Sequence, residues 1–301
     1  MIAAKPDCVV YCAMGDTRPV EAFNDVVRFL ATGIDVVGSS PNTLQYPWGV
    51  MPQKAITKIE ETTAASGASL FVTGVDPGFA NDLIPPFVFA GTCQRIEQVR
   101  CMEIADYATY DGATVMFDVM GGFGKPSRRR RCCSCPGGSW AWLGARRSGN
   151  SPRGLGVTVD EIEELHESDP APEDFEIAAG PPIAKGTRAA VRFQNIGKVE
   201  GRPAIVIEHV TRLRGDLRPD WAQPAQPGGC YRVEITGEPS YTVDICPTSL
   251  KGDHNHAAIV AAAGRIVNAI PAVVEGRAGL RTTLDLPLVT GPALTPPLRR
   301  A

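Results

Sequence analysis

Four side chains able to move a proton stand close together in the chain: Glu103, Asp106, Tyr107 and Tyr110. A carboxyl or phenol within hydrogen-bond reach of a reacting group acts as a general acid or base. The competing reading is structural, because strand tyrosines commonly bury the ring and leave the hydroxyl to water. His209 alternates with Ile205 and Ile207 and reads as a core residue with a satisfied ring. His254 and His256 precede a helical stretch, where capping or solvation is the simpler role. Two histidines without carboxylate partners make a weak metal site, so no metal is expected.

A second group of residues sits at turns. Ala13, Met14, Gly15 and Asp16 follow the apolar run Asp7–Ala13. Gly38, Ser39 and Ser40 follow Ile34–Val37, and Asp76, Pro77 and Gly78 follow Ser69–Thr73. If these runs are parallel strands, all three turns lie at carboxyl ends, where open α/β sheets bind ligands. Glycine there lets backbone approach a flat ligand closely. The plainer alternative is that the glycines only serve turns.

The elements that would position these residues follow from periodicity. Pro19 to Ala31 is an amphipathic helix with Ala22, Phe23, Val26, Val27 and Leu30 on one face, and Gly33 sits where a helix-ending glycine belongs. Pro52 to Ser66 is a second helix, ending at Gly67. Short buried strands between helices indicate parallel βαβ units. Beyond residue 92 the pattern changes. Glu97 to Tyr107 alternates as a half-buried strand does. Arg188–Phe193 and Ala204–Leu213 read as a hairpin pair around Gly201, and Tyr231–Ile235 and Tyr241–Ile245 as another. A last helix spans Ala257 to Val274, and Ser168–Pro182 and Arg218–Gly229 are loops. The expected fold class is α/β plus α+β: a partial Rossmann domain (1–92), an α+β domain (93–255), and a terminal helix and tail (256–301) returning toward the first domain.

The 301-residue chain has a net charge of −3, which points to neither nucleic acid nor an anionic membrane. No uninterrupted apolar run reaches the ~18 residues of a spanning helix, and no secretory h-region is visible. Six of the nine cysteines stand singly in apolar or strand-like segments, as in reduced, cytoplasmic proteins. One stretch differs: in 127–154, 22 of 28 residues are Arg, Ser, Gly, Cys or Pro. A polyanion-binding patch, a zinc site at Cys132, Cys133 and Cys135, and a solvated loop are possible readings. The reading preferred is a local frame shift in a GC-rich gene. With one Leu and no Val or Ile, the segment is expected to form no packed helix or strand.

The run Gly74-Val75-Asp76-Pro77-Gly78-Phe79-Ala80-Asn81-Asp82 resembles the βα loop of dihydrodipicolinate reductase-like proteins. It is most similar to their 2,4-diaminopentanoate dehydrogenase and native amine dehydrogenase relatives. Asp7–Pro19, Ala105–Asp111, Phe123–Pro126, Glu208–Leu213, Gly252–Asn255 and Val267–Val273 resemble the same group. The resemblance implies a Rossmann domain, an α+β domain supplying substrate pocket and dimer contacts, and hydride transfer between NAD or NADP and a small imine, amine or carbonyl. It places Glu103, Asp106, Tyr107 and Tyr110 on the substrate-facing segment.

Two departures shape the expectation. Such relatives open with a strand, a Gly-x-Gly-x-x-Gly turn and two further strands before the equivalent of Asp7, and no such glycine run occurs in this sequence. That turn sets the cofactor pyrophosphate on a helix N-terminus, so dinucleotide binding is expected to be weak or absent. Amine-handling relatives also carry a Glu in the loop matching Gly38–Gln45, where this chain has no carboxylate. The expected protein is therefore an impaired cytoplasmic oxidoreductase, homodimeric or larger, taking a small molecule and neither nucleic acid nor membrane. The alternatives are an inactive dimerising module that binds no dinucleotide and, third, a basic-loop binding module.

Overall fold

The computed structural model describes residues 1–15, 17–80, 84–119, 122–126, 157 and 159–291. Asp16 and the 127–154 segment lie outside the described residues. Two sheets organise the rest. Sheet A is parallel, in the order β1-β2-β3-β10: Cys8–Tyr11, Asp35–Gly38, Ser69–Val72 and Gly279–Arg281. Sheet B is mixed, in the order β5-β6-β7-β4-β8-β9. Its strands are β4 (Arg95–Asp106), β5 (Glu161–Pro170), β6 (Arg188–Val199), β7 (Arg202–Arg212), β8 (Gly229–Glu238) and β9 (Tyr241–Ile245).

Alternation in sheet A sends successive side chains to two cores. Val36, Leu70 and Val72 pack with Ala22, Val26 and Leu30 of α1 (Pro19–Leu30) and Ile59 of α2 (Gln53–Ser66). Val37 and Phe71 face the other way, onto Ile266, Ala269 and Val273 of α4 (His254–Val274). Each fully buried Leu or Phe contributes roughly 1.5–3 kcal/mol of transfer free energy. α4 is long and apolar enough to cross a bilayer by length and composition, yet one side of it is this core. Gly67 ends α2 at φ 77°, a backbone region glycine enters without strain.

The expected helices and hairpins form with shifted ends. β5 extends into Ser168–Pro170, which had been expected as loop, because Asp169 and Pro170 still pair with Ala190 and Arg188. Gly229, expected as loop, starts β8. α4 begins at His254, since the Asp253 carboxylate accepts from the Asn255 and His256 amides and caps the helix there. A short helix α3 (Ile84–Ala90) and β10 carry no clear periodicity. α3 lays Phe89 and Ala90 on the Val99–Cys101 face of sheet B, and β10 completes sheet A beside β3.

Candidate active site

The carboxyl ends of three neighbouring strands in sheet A are tied together by backbone bonds and one side chain. Ser39 N donates to Tyr11 O at 3.2 Å, Thr73 N donates to Gly38 O at 2.9 Å, and Gln45 Nε2 donates to Pro77 O at 2.9 Å. A Cβ on Gly38 would lie 2.1 Å from Tyr11 O, and one on Gly78, at φ +134°, would lie 2.3 Å from Gly74 N. Both positions therefore exclude any side chain. Ala13, Met14, Gly15, Gly38, Ser39, Ser40, Asp76, Pro77 and Gly78 all lie along this edge. A cleft lined by Lys5, Asp7, Gly33 and Asp35 lies at the opposite, amino-terminal end of β1 and β2.

Asp76 leaves that edge and reaches sheet B. Its Oδ2 lies 3.4 Å from His209 Nε2, and His209 Nδ1 lies 2.8 Å from Glu103 Oε2. The Tyr107 hydroxyl donates to Glu103 Oε1 at 3.0 Å, and Tyr110 stacks on Tyr107 with centroids 4.9 Å apart. A chain of polar groups thus runs Asp76, His209, Glu103, Tyr107.

Register across sheet B creates the arrangement. His166 of β5 lies opposite Phe193 of β6, Phe193 opposite His209 of β7, His209 opposite Glu103 of β4, and Glu103 opposite Tyr231 of β8. The His209 ring stacks on Phe193 at 4.6 Å, which fixes its plane. His254, at the start of α4, lies against Tyr231 with centroids 5.6 Å apart. Its Cδ2 is 2.5 Å from where a Cβ on Gly229 would sit, so that strand end must be glycine.

Burial sets the protonation of the members. Burial alone would raise the Glu103 carboxyl, but the hydrogen bond and charge of His209, with the Tyr107 hydroxyl, hold it below its ordinary value. Burial, then the Glu103 charge, pushes the Tyr107 phenol well above its ordinary value. Glu103 is therefore an ionised acceptor and Tyr107 a neutral donor. Burial likewise raises Tyr231 and lowers His254.

The structure brings Glu103, Tyr107 and Tyr110 together but leaves Asp106 out. Strand alternation turns Asp106 to the opposite face of β4, where it lies in register with Arg212 and accepts from the Ala108 amide at 2.9 Å. His209 is buried, as its alternation with Ile205 and Ile207 implies, but its partners are two carboxylates. Asp76 belongs to this cluster as well as to the sheet A edge. His254 is buried, not solvated, because α4 presses it onto Gly229 and Tyr231. Sequence alone signals none of these partnerships. The nearest hint is that Glu103, His209 and Tyr231 each alternate in phase with apolar residues of their own strand: Val99 and Cys101, Ile205 and Ile207, and Val233 and Ile235.

A family model described as the 2,4-diaminopentanoate dehydrogenase C-terminal domain matches residues 83–295. An amine dehydrogenase of Streptomyces virginiae is 36% identical over 290 residues, covering 96% of this chain and 79% of that protein. A 2,4-diaminopentanoate dehydrogenase of Acetoanaerobium sticklandii is 24% identical over 292 residues, 94% of this chain and 74% of that one. The solved structure of an amine dehydrogenase from Mycobacterium smegmatis superposes with a TM-score of 0.69 at 18% identity, over 96% of this chain and 78% of the other, which is a likeness of fold. With most of its length matched by the family model and nearly all of it by the Streptomyces relative, the chain belongs to the 2,4-diaminopentanoate dehydrogenase C-terminal domain family.

Proposed function

We propose that this protein is an oxidoreductase acting on small amines, with NAD or NADP as hydride acceptor. The observation that carries the reading is the Asp76–His209–Glu103 contact, which sets acid–base groups against the carboxyl edge of a parallel sheet. The names of the relatives support the amine, and the fold supports the dinucleotide.

The nicotinamide end of such a cofactor fits the residues present. The Ser40 hydroxyl and Gln45 Oε1 are buried at this edge without a hydrogen-bond partner among the described residues. They offer a donor and an acceptor of the kind a carboxamide takes. When bound, the dinucleotide supplies the hydride acceptor. Oxidation of R₂CH–NH₃⁺ to R₂C=NH₂⁺ removes one proton from nitrogen and one hydride from carbon. The proton passes to a carboxylate of the cluster, and His209, between two carboxylates, passes it from one to the other. Tyr107 holds Glu103 as the ionised acceptor, and the apolar surroundings of the cluster exclude water.

The test is the absorbance of reduced nicotinamide formed from NAD⁺ or NADP⁺ with a panel of primary amines and their matching alcohols. Reduction driven by amines, and lost in His209→Gln, is the expected result. Reduction driven only by alcohols, or by neither, overturns the reading.

A further inference from the structure

Two cysteines far apart in the chain meet across sheet B. The β8–β9 ladder runs from the pair Ile235 and Tyr241 to the pair Tyr231 and Ile245, so the next pair outward is Cys230 and Cys246. The chain keeps that register one step further. The Gln226 amide donates to Gly229 O at 2.9 Å and to Pro247 O at 3.0 Å, which sets Gly229 beside Pro247. Directly opposed residues send their side chains to the same face of a sheet. One pair further in on that face, Arg232 Nε donates to Asp244 Oδ1 at 2.6 Å. The Cys230 thiol reaches the same carboxylate oxygen at 3.6 Å, so it points across to β9. Backbone direction decides how close the pair stands. Asp106 N donates to Gly228 O at 2.9 Å, and bonding alternates along an antiparallel ladder, so Cys230 turns its own amide and carbonyl toward Ile104 of β4. Toward β9 it is then a non-hydrogen-bonded position, the kind with the shorter Cα separation, about 4.5 Å. A disulfide spans Cα separations of roughly 4.4–6.8 Å. Cys230 is buried, whereas Cys246 is exposed to solvent.

We propose that Cys230 and Cys246 are a redox-active pair, closed to a disulfide by small-molecule disulfides and reopened by thiols. The exposed Cys246 sulfur attacks one sulfur of a small disulfide RSSR, forming a mixed disulfide and releasing RSH. Cys230 then attacks the Cys246 sulfur, forms the protein S–S bond and releases the second RSH. Two cysteine thiols are oxidised as one RSSR is reduced, and their two protons leave on the two RSH. Burial pushes the Cys230 thiol up to about 11, so Cys246 reacts first and Cys230 resolves it within the molecule. Closing the bond ties the Gly229–Tyr231 end of β8 to the loop before α4, whose Pro247 carbonyl faces His254. His254 lies on Tyr231 and on Gly229, so the state of the pair sets how firmly this corner beside Glu103 is held.

Chemical mapping tests this without requiring turnover. The purified full chain is incubated with oxidised glutathione, free thiols are blocked with iodoacetamide, and peptides are mapped by mass spectrometry. A Cys230–Cys246 cross-link, removed by dithiothreitol, is the expected main product. In urea, where all nine cysteines are free to pair, its share should fall. Cys246→Ser should leave Cys230 unmodified in the folded chain. Cys230→Ala, which keeps a small apolar side chain in that core, should trap glutathione on Cys246. The oxidised chain should melt roughly 5 °C or more above the reduced one, because the bond closes a loop of about 15 residues in the unfolded chain, and Cys246→Ser should lose that shift. If Cys230→Ala fails to fold, the exposed Cys246→Ser carries the comparison. Glutathione retained on Cys246 of the wild type with Cys230 free overturns the proposal. So does a cross-link no more abundant in the folded chain than in urea, or an oxidised chain that melts below the reduced one.

Discussion

Replacing Glu103 by Gln keeps the shape of the side chain and removes its charge. Glu103 is 6% exposed and accepts from Tyr107 at 3.0 Å while facing His209 Nδ1 at 2.8 Å. The amide oxygen of Gln can still accept from Tyr107. The charge-assisted bond to His209, worth about 1.5–3 kcal/mol, is lost, and His209 keeps Asp76 as its remaining counterion. The net destabilisation is therefore about 2–3 kcal/mol near neutral pH, below the roughly 3–5 kcal/mol of a buried charge left with no partner. That corresponds to a fall in Tm of roughly 5–10 °C for a chain of this size. The pH dependence carries a sign. The Glu103 carboxyl is held below its ordinary value of 4.5, so its contribution is fully present above that pH and is lost as pH falls through the lower folded value. The gap between wild type and variant should thus close in acid. Urea unfolding across the pH range measures it, with His209→Asn and the double variant completing a cycle. A variant within about 0.5 kcal/mol of wild type near neutrality, or strictly additive single effects, would refute the charge-pair account.

His254 gives a second acid-side effect. Burial lowers its pKa from 6.5, so the folded chain binds that proton less readily than the unfolded chain, and stability should decline as pH drops below 6.5; His254→Leu should flatten that part of the curve. Gly78→Ala places a Cβ 2.3 Å from the Gly74 amide at φ +134° and should cost about 1–3 kcal/mol in chemical unfolding, with amine-driven reduction lost because the Asp76 loop moves. Asp253→Ala removes the cap of α4 and its bond from Thr109, and a loss of about 1 kcal/mol by thermal unfolding is expected. Arg212→Met frees the Leu217, Arg218 and Ala222 carbonyls, which Arg212 holds at 2.7, 3.1 and 2.9 Å; faster proteolysis between residues 213 and 222 would register it, and an unchanged digestion rate would contradict it.

Much of the architecture is written locally in the chain. The stripe Ala22, Val26 and Leu30 makes α1 whatever lies around it, and Gly67 stops α2 because it can turn left-handed where Ala would strain. The apolar runs before Gly15, Gly38 and Gly74 make parallel strands, so the shared carboxyl edge of sheet A follows from them. Short or exposed elements escape this logic. β5 is largely exposed, and its last three residues read as loop until β6 pairs with them, and β10 has three residues whose conformation depends on β3.

The sequence by itself determined which face of each strand is buried, because the alternation of side chains about a strand is a property of a few consecutive residues. It therefore placed His209 in phase with Ile205 and Ile207, but the sequence expectation groups Asp106 with Glu103, Tyr107 and Tyr110, and the structure turns Asp106 to the other face of β4. Only the tertiary structure decided that Glu103 meets His209 and Tyr231 in one row, and that Asp76 from the other sheet closes on the same imidazole. Strand register is set by the packing of both sheets and by the turns between strands, and a slip of one residue would turn His209 away from Glu103. The cluster is a property of that register, which no single segment of the chain contains.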